Sequence, residues 1–385
     1  MTDLKTPTLK DTTKVHWDAI STNAAKIFQG MTEVCYKEYY RKADLIWLRK
    51  KYHTVMSRLC ATQWINHIPH EGQMTDKGKL ATSLRGYAQR PGRASLVNGF
   101  YPETYRLFVQ ADRELFFQQI PKVDTEDNLW ILKPTSLSKG VGIKVVWKLR
   151  ELYKKLQEDE HSKLPVEGHG KKNYIIQRYL KNCLLLEGKK SELRMYWLIA
   201  SLDPLIVLLY PEGTVRLASK EFELGDYDNT HIHVLNVHQQ KKHVDYDPNI
   251  VLKWTFSEFQ ESLLKSKKIN ANNFLEDQVR SKAKECLATV VKATLPQLRD
   301  TPERGNFFGL YGADFIMDND LNVWLTEIQI GPGLNMGDRT KTALINDMFS
   351  EAIRIVLEVR DRKLSNTSLR NLTTVKNFEW VINEA

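Results

Sequence analysis

Gly312-Ala-Asp-Phe-Ile-Met-Asp-Asn-Asp-Leu-Asn-Val-Trp-Leu-Thr-Glu-Ile-Gln329 reads as two strands and the turn between them. Gly312 to Met317 and Val323 to Ile328 are apolar, with branched and aromatic residues, while Asp318 to Asn322 has the composition of a hairpin turn. Side chains alternate along a strand, so Asp314, Ile316 and Asp318 share one face, as do Leu325, Glu327 and Gln329. Paired as a hairpin, the strands set Asp314 beside Glu327 and Gln329. Carboxylates paired inside an apolar sheet are costly unless a cation lies between them, and hard oxygen donors of this kind suit Mg²⁺. The plainer reading is two solvated acids at a strand edge.

The chain upstream extends this α/β pattern. Leu129-Trp-Ile-Leu132 is an apolar run ending at Lys133-Pro134, and Ile143 to Trp147 is a second. Between them, Thr135-Ser-Leu-Ser-Lys-Gly-Val-Gly142 reads as a glycine loop joining two strands, with a helix to follow from Lys148 to Glu160. Glycines let backbone N–H groups approach phosphate oxygens, and Lys133 and Lys139 add positive charge. Neither GxxxxGK[ST] nor GxGxxG is present, and alone such a loop is more often merely a turn. A strand at Tyr174 to Gln177 is expected next. Arg194 to Ala200 and Leu205 to Tyr210 read as strands turning at Asp203-Pro204, and Asn272 to Leu295 and Lys341 to Arg362 as helices.

The N-terminal part is read less sharply. Glu38 to Arg58 has a helical pattern, whereas Glu71 to Asn98 reads as a looser basic loop carrying Arg85, Arg90 and Arg93. Its plain reading is solvated surface, and its functional reading is a contact for an acidic partner. The segment after Ser365 reads as polar and peripheral.

Composition bounds the function. The 385 residues carry 56 Lys and Arg against 47 Asp and Glu, a net charge of +9 that favours an acidic partner. Cys35, Cys60, Cys183 and Cys286 form no CxxC pair, so neither a disulfide framework nor a zinc site is expected, and a reducing compartment fits. The N-terminal residues lack the apolar core of a signal peptide. The most apolar stretch, Tyr196 to Tyr210, is broken by Asp203-Pro204 and too short to span a bilayer. A soluble, cytoplasmic protein is expected, without a membrane partner. No aromatic-and-basic recognition motif points to nucleic acid.

Further cations need explaining. Arg194, in Glu192-Leu-Arg-Met-Tyr-Trp, and Arg216, in Val-Arg-Leu-Ala, sit in apolar runs and require a partner or a ligand once buried. Structural pairing is the simple reading. Together with Lys190, His233-Val-Leu-Asn236, the glycine loop and the acidic pair, they make up the parts needed for nucleotide-dependent phosphoryl transfer.

Trp130-Ile-Leu-Lys-Pro134, Ser138-Lys-Gly-Val-Gly-Ile143, Ile176-Gln-Arg-Tyr-Leu180, Leu185-Leu-Glu-Gly-Lys-Lys-Ser-Glu-Leu-Arg194, Gly312 to Asp318 and Leu325-Thr-Glu-Ile-Gln329 follow one another in a recognisable order. In order and spacing they resemble the tubulin–tyrosine ligase-like enzymes, from Tyr101 to Glu358. The resemblance implies an ATP-grasp fold and an ATP- and Mg²⁺-dependent ligase that joins an amino acid to a tubulin tail. It implies an N-terminal domain at 1–115, a central ATP-grasp domain at 116–200 and a C-terminal catalytic domain at 201–364, with the tail at 365–385. By position, Lys133 and Lys139, Gly140, Val141, Gly142 and Ile143 resemble the phosphate-binding parts. Gln177, Arg178, Tyr179 and Leu180 resemble the adenine hinge. Lys190 and Glu192 match the family's Lys-x-Asp, with Glu for Asp. Arg194 resembles the phosphate-side arginine and Arg216 the one near the donor amino acid. Leu235-Asn236 stands where the family has Thr-Asn, with His233 before it, and Asp314, Glu327 and Gln329 match the metal set, with Gln for Asn.

The departures direct the choice of donor. Val237-His238 replaces the pair that glutamate-adding members place near the donor, and Lys341 is a further donor-side candidate. A glutamate donor needs a cation for its side-chain carboxylate, whereas glycine needs none. Gly99 to Leu107 and Lys133-Pro-Thr135 also look closer to the glycine-adding branch, so glycine addition to tubulin tails is the expectation. Arg85, Arg90, Arg93, Lys241 and Lys242, with His243, are candidate contacts for the acidic tail, whose binding would weaken with salt. The resemblance implies a monomer at the cytoskeleton, in a cilium or axoneme. The alternatives are a polyglutamylase, a ligase for another acidic protein, and a nucleotide- or tubulin-binding scaffold motivated by Glu192, Leu235 and Gln329.

Overall fold

The computed structural model describes residues 14–17, 32–33, 43–48, 53–57, 59–119, 128–159, 161–242, 246–247, 249–302, 306–334 and 339–385. Its centre is a seven-stranded antiparallel sheet. The order is Lys253–Thr255, Leu205–Leu217, Lys189–Leu202, Gly309–Met317 and Val323–Gln329, with Leu185–Leu186 and Glu379–Asn383 added at the sides. Both expected hairpins are present, the first turning at Asp203-Pro204 and the second at Asp318 to Asn322. The sheet runs across the expected 200/201 division, because Lys189–Leu202 and Leu205–Leu217 are one hairpin.

Burial on both faces explains why the central strands are so apolar. Leu193, Met195, Trp197 and Ile199 pack with Tyr311, Ala313 and Phe315 against the helix Ser281–Arg299. Tyr196, Leu198 and Ala200 pack on the opposite face against Ile345, Phe349 and Ile353 of the helix Arg339–Leu364. Each fully buried Leu, Ile or Phe side chain contributes roughly 1.5–3 kcal/mol relative to exposure.

A smaller antiparallel sheet holds the glycine loop. Its order is Thr104–Arg106, Tyr174–Arg178, Trp130–Pro134 and Lys144–Val146, and it packs on the expected helix, here Leu149–Gln157. The N-terminal part forms a third, parallel sheet in which Asn306–Phe307 pairs with Trp64–Ile65, and Trp64–Ile65 with Leu45–Trp47. No helix among the described residues is long and apolar enough to cross a membrane.

Three expectations are corrected. Within Glu38 to Arg58 the described residues hold the strand Leu45–Trp47 and one helical turn, His53–Met56, because Leu45-Ile-Trp47 is wholly buried in the parallel sheet. Glu71 to Asn98 is helical rather than a loop, over Gly72–Thr75, Lys77–Ala88 and Ala94–Asn98. Asp76 caps the middle helix by accepting from Gly78 N and Lys79 N, and Leu80, Leu84 and Tyr87 form its buried stripe.

The C-terminal segment is not peripheral. Glu379–Asn383 joins the large sheet beside Leu205–Leu217, and Leu369, Leu372 and Phe378 are buried. The buried Glu351 carboxylate accepts from the backbone N–H groups of Lys376, Asn377 and Phe378 at 2.7, 2.8 and 3.0 Å.

Candidate active site

Strand register builds the site. Thr214 faces Arg194, Arg194 faces Asp314, and Asp314 faces Glu327, a single row across the large sheet. Two residues along, Glu192 faces Arg216. Alternation then puts all these side chains on one face.

Their charges interlock. The Arg194 guanidinium closes on both oxygens of Asp314, with Nη2 at 2.8 Å from Oδ2, and its Nη1 donates to Pro332 O at 3.2 Å. Arg216 donates to Glu192 at 2.8 Å and to Asp314 at 3.2 Å. Burial alone would push Asp314 up, but Arg194 and Arg216 hold its carboxyl below the ordinary range. Glu192 moves the other way, raised by burial and then by the Asp314 charge. Gln329 donates from Nε2 to Asp314 at 3.2 Å.

The smaller sheet supplies the opposing wall. Lys133 is buried and donates to Gln177 Oε1 at 2.7 Å and Thr326 O at 3.3 Å. Burial pushes its amine down to about 8, against the pull of Glu327. Gln177 passes the contact on to Thr104 Oγ1. Tyr179 hydrogen bonds to His233 Nδ1 at 2.8 Å and accepts from Lys190 at 3.0 Å. The other ring nitrogen of His233 donates to Asp226 O, which fixes the tautomer. Burial and the nearby Lys190 lower His233 to about 4. Arg178 instead stacks over Trp130, 3.9 Å from the ring centre, and Leu180 lies half-buried just beyond the strand.

The glycine loop needs its glycines. Gly140 has φ +73°, and a Cβ there would stand 2.8 Å from Val234 Cγ1; at Gly142, φ +74°, it would stand 2.9 Å from Pro134 Cγ. Gln239 ties the loop down by donating to Lys139 O at 2.9 Å.

A cavity of about 70 Å³ brings together Lys133, Gly140, Ile143, Lys190, Glu192, Arg216, Leu235, Asn236, Asp314, Glu327 and Gln329. It shares Gly140, Ile143, His233 and Val234 with a larger one of about 530 Å³, which Val141, Gly142 and Lys242 also line. The donor candidates are more scattered. Val237 and His238 sit on the short helix Val237–Gln240, away from the smaller cavity, with Asn236 as its cap, and Lys341 donates to Gly333 O.

The expected tail contacts separate. Arg85 is engaged internally, bonding Asp112 at 2.5 Å and Thr104 O at 2.7 Å, and together with Arg106 it holds Asp112, despite burial, at about 2. Arg90 and Arg93 are exposed over the Tyr87 ring, and Lys241 and Lys242 are exposed as well. His243 and Cys35 lie outside the described residues.

One site residue was missed. Lys77, at the start of the helix Lys77–Ala88, donates to Glu327 at 2.7 Å and to Leu137 O at 3.3 Å, and is buried. Asp76 as a helix cap was the available signal, but nothing local marks this lysine as the one that reaches the acids.

Among the described residues, no three His, Cys, Asp or Glu side chains converge as a metal cage. Asp314 and Glu327 are nonetheless directly paired at the cavity with an amide beside them. Magnesium is commonly held by one or two carboxylates plus substrate phosphates, so this donor set fits it.

A family model described as the tubulin-tyrosine ligase family matches residues 54–365. The chain is similar to the probable tubulin polyglutamylase TTLL9 of Bos taurus, 26% identical over 349 residues, covering 81% of this chain and 72% of that protein. It is 28% identical over 322 residues to the probable tubulin polyglutamylase TTLL2 of Mus musculus, covering 80% of this chain and 54% of that protein. Over 308 residues it is 29% identical to the inactive polyglycylase TTLL10 of Homo sapiens, covering 75% and 43%.

Proposed function

Because the chain belongs to the tubulin-tyrosine ligase family, with its mixed α/β, ATP-grasp-like fold, we propose that it is an ATP-dependent ligase that joins an amino acid to the acidic tail of tubulin. The observation that carries this reading is that Glu192, Arg216, Asp314 and Glu327 face Lys133 and Gly140 of the glycine loop across one cavity, with Arg194 paired to Asp314 behind them. The row offers paired carboxylates for a cation, the loop offers backbone N–H groups for phosphates, and the arginines offer charge where charge develops.

In this proposal a tail carboxylate oxygen attacks the γ-phosphorus of ATP and ADP leaves. The donor amine then attacks the acyl carbon, phosphate departs, the nitrogen loses a proton and an amide forms. Lys133 and Lys77 attract the phosphates, while Arg194 and Arg216 stabilise the negative charge that moves during transfer. Asp314, Glu327 and Gln329 would hold Mg²⁺, which supplies charge neutralisation on the phosphates. Lys242, exposed at the rim of the larger cavity, and its neighbour Lys241 are the tail contacts we retain.

Glycine is the donor we favour. Neither Val237 nor His238, which stand where glutamate-adding members of the family place donor contacts, lines the smaller cavity, so neither offers a cation there for a glutamate side chain. Glutamate is the second reading, favoured by the names of the polyglutamylase relatives. Intact-mass spectrometry of tubulin incubated with this protein, ATP, Mg²⁺ and each amino acid separately decides between them. Mass added only with glycine supports the first reading and mass added only with glutamate the second. No addition with any donor overturns ligation to tubulin and leaves a scaffold or another acceptor.

A further inference from the structure

His67, Glu71 and Tyr311 form a buried polar cluster outside the cavity, each 3% exposed or less. Glu71 Oε1 bonds His67 Nδ1 at 2.8 Å, and Oε2 accepts from Tyr311 Oη at 2.8 Å and from Ile68 N at 3.3 Å. His67 Nε2 lies 3.0 Å from Leu48 O, an acceptor, so that nitrogen carries a proton. Burial and the neighbouring carboxylate keep the Tyr311 phenol protonated, hence a donor.

The location gives the cluster its meaning. Tyr311 and Asp314 are an odd number of residues apart on one strand, so they face opposite sides of the sheet. Glu327 pairs with Asp314 and lies on the cavity side. Val323–Gln329 is the last strand of the sheet, and its Leu325 N donates to Phe100 O at 2.7 Å. The segment 67–77 therefore passes around this edge, bonding Tyr311 on one face through Glu71 and Glu327 on the other through Lys77. Only the short helix Gly72–Thr75 and the Asp76 cap separate these contacts.

We propose that residues 67–77 are a strap across the edge of the catalytic sheet, and that the Tyr311–Glu71 hydrogen bond is the positioning contact that sets Lys77 against Glu327 and the root of the glycine loop. A buried hydrogen bond to a carboxylate is worth more than one between neutral groups and is costly to break. Where Lys77 reaches depends on that placement: its backbone starts the helix Lys77–Ala88, and its long side chain extends from there to Glu327 and Leu137 O. The consequence for nucleotide binding rests on the ligase reading, whereas the strap itself does not.

The test separates the two. Lysines of the native protein are reductively methylated and read by peptide mass spectrometry, in the wild type and in Tyr311→Phe, which deletes only the hydroxyl. Lys77 and Lys190, both buried, should react slowly and the exposed Lys241 quickly. In the variant Lys77 should speed up about tenfold while Lys190 stays slow. An unchanged Lys77 rate, or Lys77 and Lys190 rising together as general loosening, would overturn the strap. Binding of the magnesium complex of a non-hydrolysable ATP analogue is then measured by calorimetry. Tyr311→Phe should weaken it about tenfold, Lys77→Met at least as much, and the double variant no more than Lys77→Met alone. Additive losses, or unaltered affinity in Tyr311→Phe, would break the link from strap to site. A wild type that bound no analogue yet labelled as expected would sink the ligase reading and keep the strap. If Tyr311→Phe does not fold, Glu71→Gln, which keeps the shape and removes the charge, takes its place with the same readouts.

Discussion

Arg194 and Asp314 meet twice: they are cross-strand partners on Lys189–Leu202 and Gly309–Met317, and the guanidinium of one closes on both oxygens of the other. Both are buried, and Arg216 adds a further contact. Removing one member strands the opposite charge in a low-dielectric interior. Asp314→Ala should therefore destabilise the protein by about 3–5 kcal/mol in urea unfolding. Asp314→Asn, which retains a polar group of the same size, should fold, bind tubulin and lose ATP turnover. Normal turnover in that variant would remove Asp314 from the proposed chemistry.

Lys133 should give opposite pH slopes for stability and binding. Its amine is lowered from 10.5 to about 8, chiefly by burial. Between those values the unfolded chain binds more protons than the folded one, so stability should rise with pH through that window. A neutral amine attracts phosphate less, so affinity for the magnesium–nucleotide complex should fall across it. Calorimetry and urea unfolding near neutrality and at about pH 9.5 would show both, and Lys133→Met should lose both slopes.

His233 predicts a loss on the acid side. It is lowered from 6.5 to about 4, first by burial and then by Lys190. Between those values the unfolded imidazole binds a proton that the folded one refuses, so stability is lost as pH falls, by up to about 3 kcal/mol. Unfolding midpoints followed from neutrality to pH 4.5 should fall less steeply in His233→Asn than in the wild type. Parallel curves would mean that the ring is not held neutral.

A pair of glycines separates backbone strain from function. Gly140 and Gly168 both have positive φ, and an alanine at either should cost roughly 1–2 kcal/mol for the left-handed conformation. A Cβ at Gly140 also collides with Val234, while one at Gly168 meets nothing within 4 Å. Nucleotide affinity should therefore drop in Gly140→Ala and hold in Gly168→Ala. Equal losses would show that the crowding at Val234 is irrelevant to binding.

The hairpins around the site were legible because apolar runs alternate there with turn-forming residues. Asp314 to Asn322 could be read locally, and the pairing of Asp314 with Glu327 followed from it. Arg194 against Asp314 could not be read that way, since their strands are 120 residues apart and only tertiary register joins them. The misread segments had weak or competing local signals. Gly78 and Gly86 made 77–88 look like a loop, although the Asp76 cap and the buried Leu80, Leu84 and Tyr87 outweigh them. Leu45-Ile-Trp47 is a strand too short for its period to show. The C-terminal strand was passed over because the carboxylate that organises its approach, Glu351, lies on the preceding helix, 25 to 27 residues back, and only tertiary packing brings the two together.

The parallel sheet near the N-terminus has a further consequence for anyone who would take the protein apart. Its strand Trp64–Ile65 lies between Leu45–Trp47 and the edge strand Asn306–Phe307, and Asn306 also reaches Ala61 O through its side-chain amide at 2.6 Å. A fragment cut anywhere between these segments would carry an open row of backbone donors and acceptors beside a buried tryptophan, which is a template for self-association. No single scission can release the N-terminal part intact. Studied alone, it would have to carry the later strand as a tethered or added peptide.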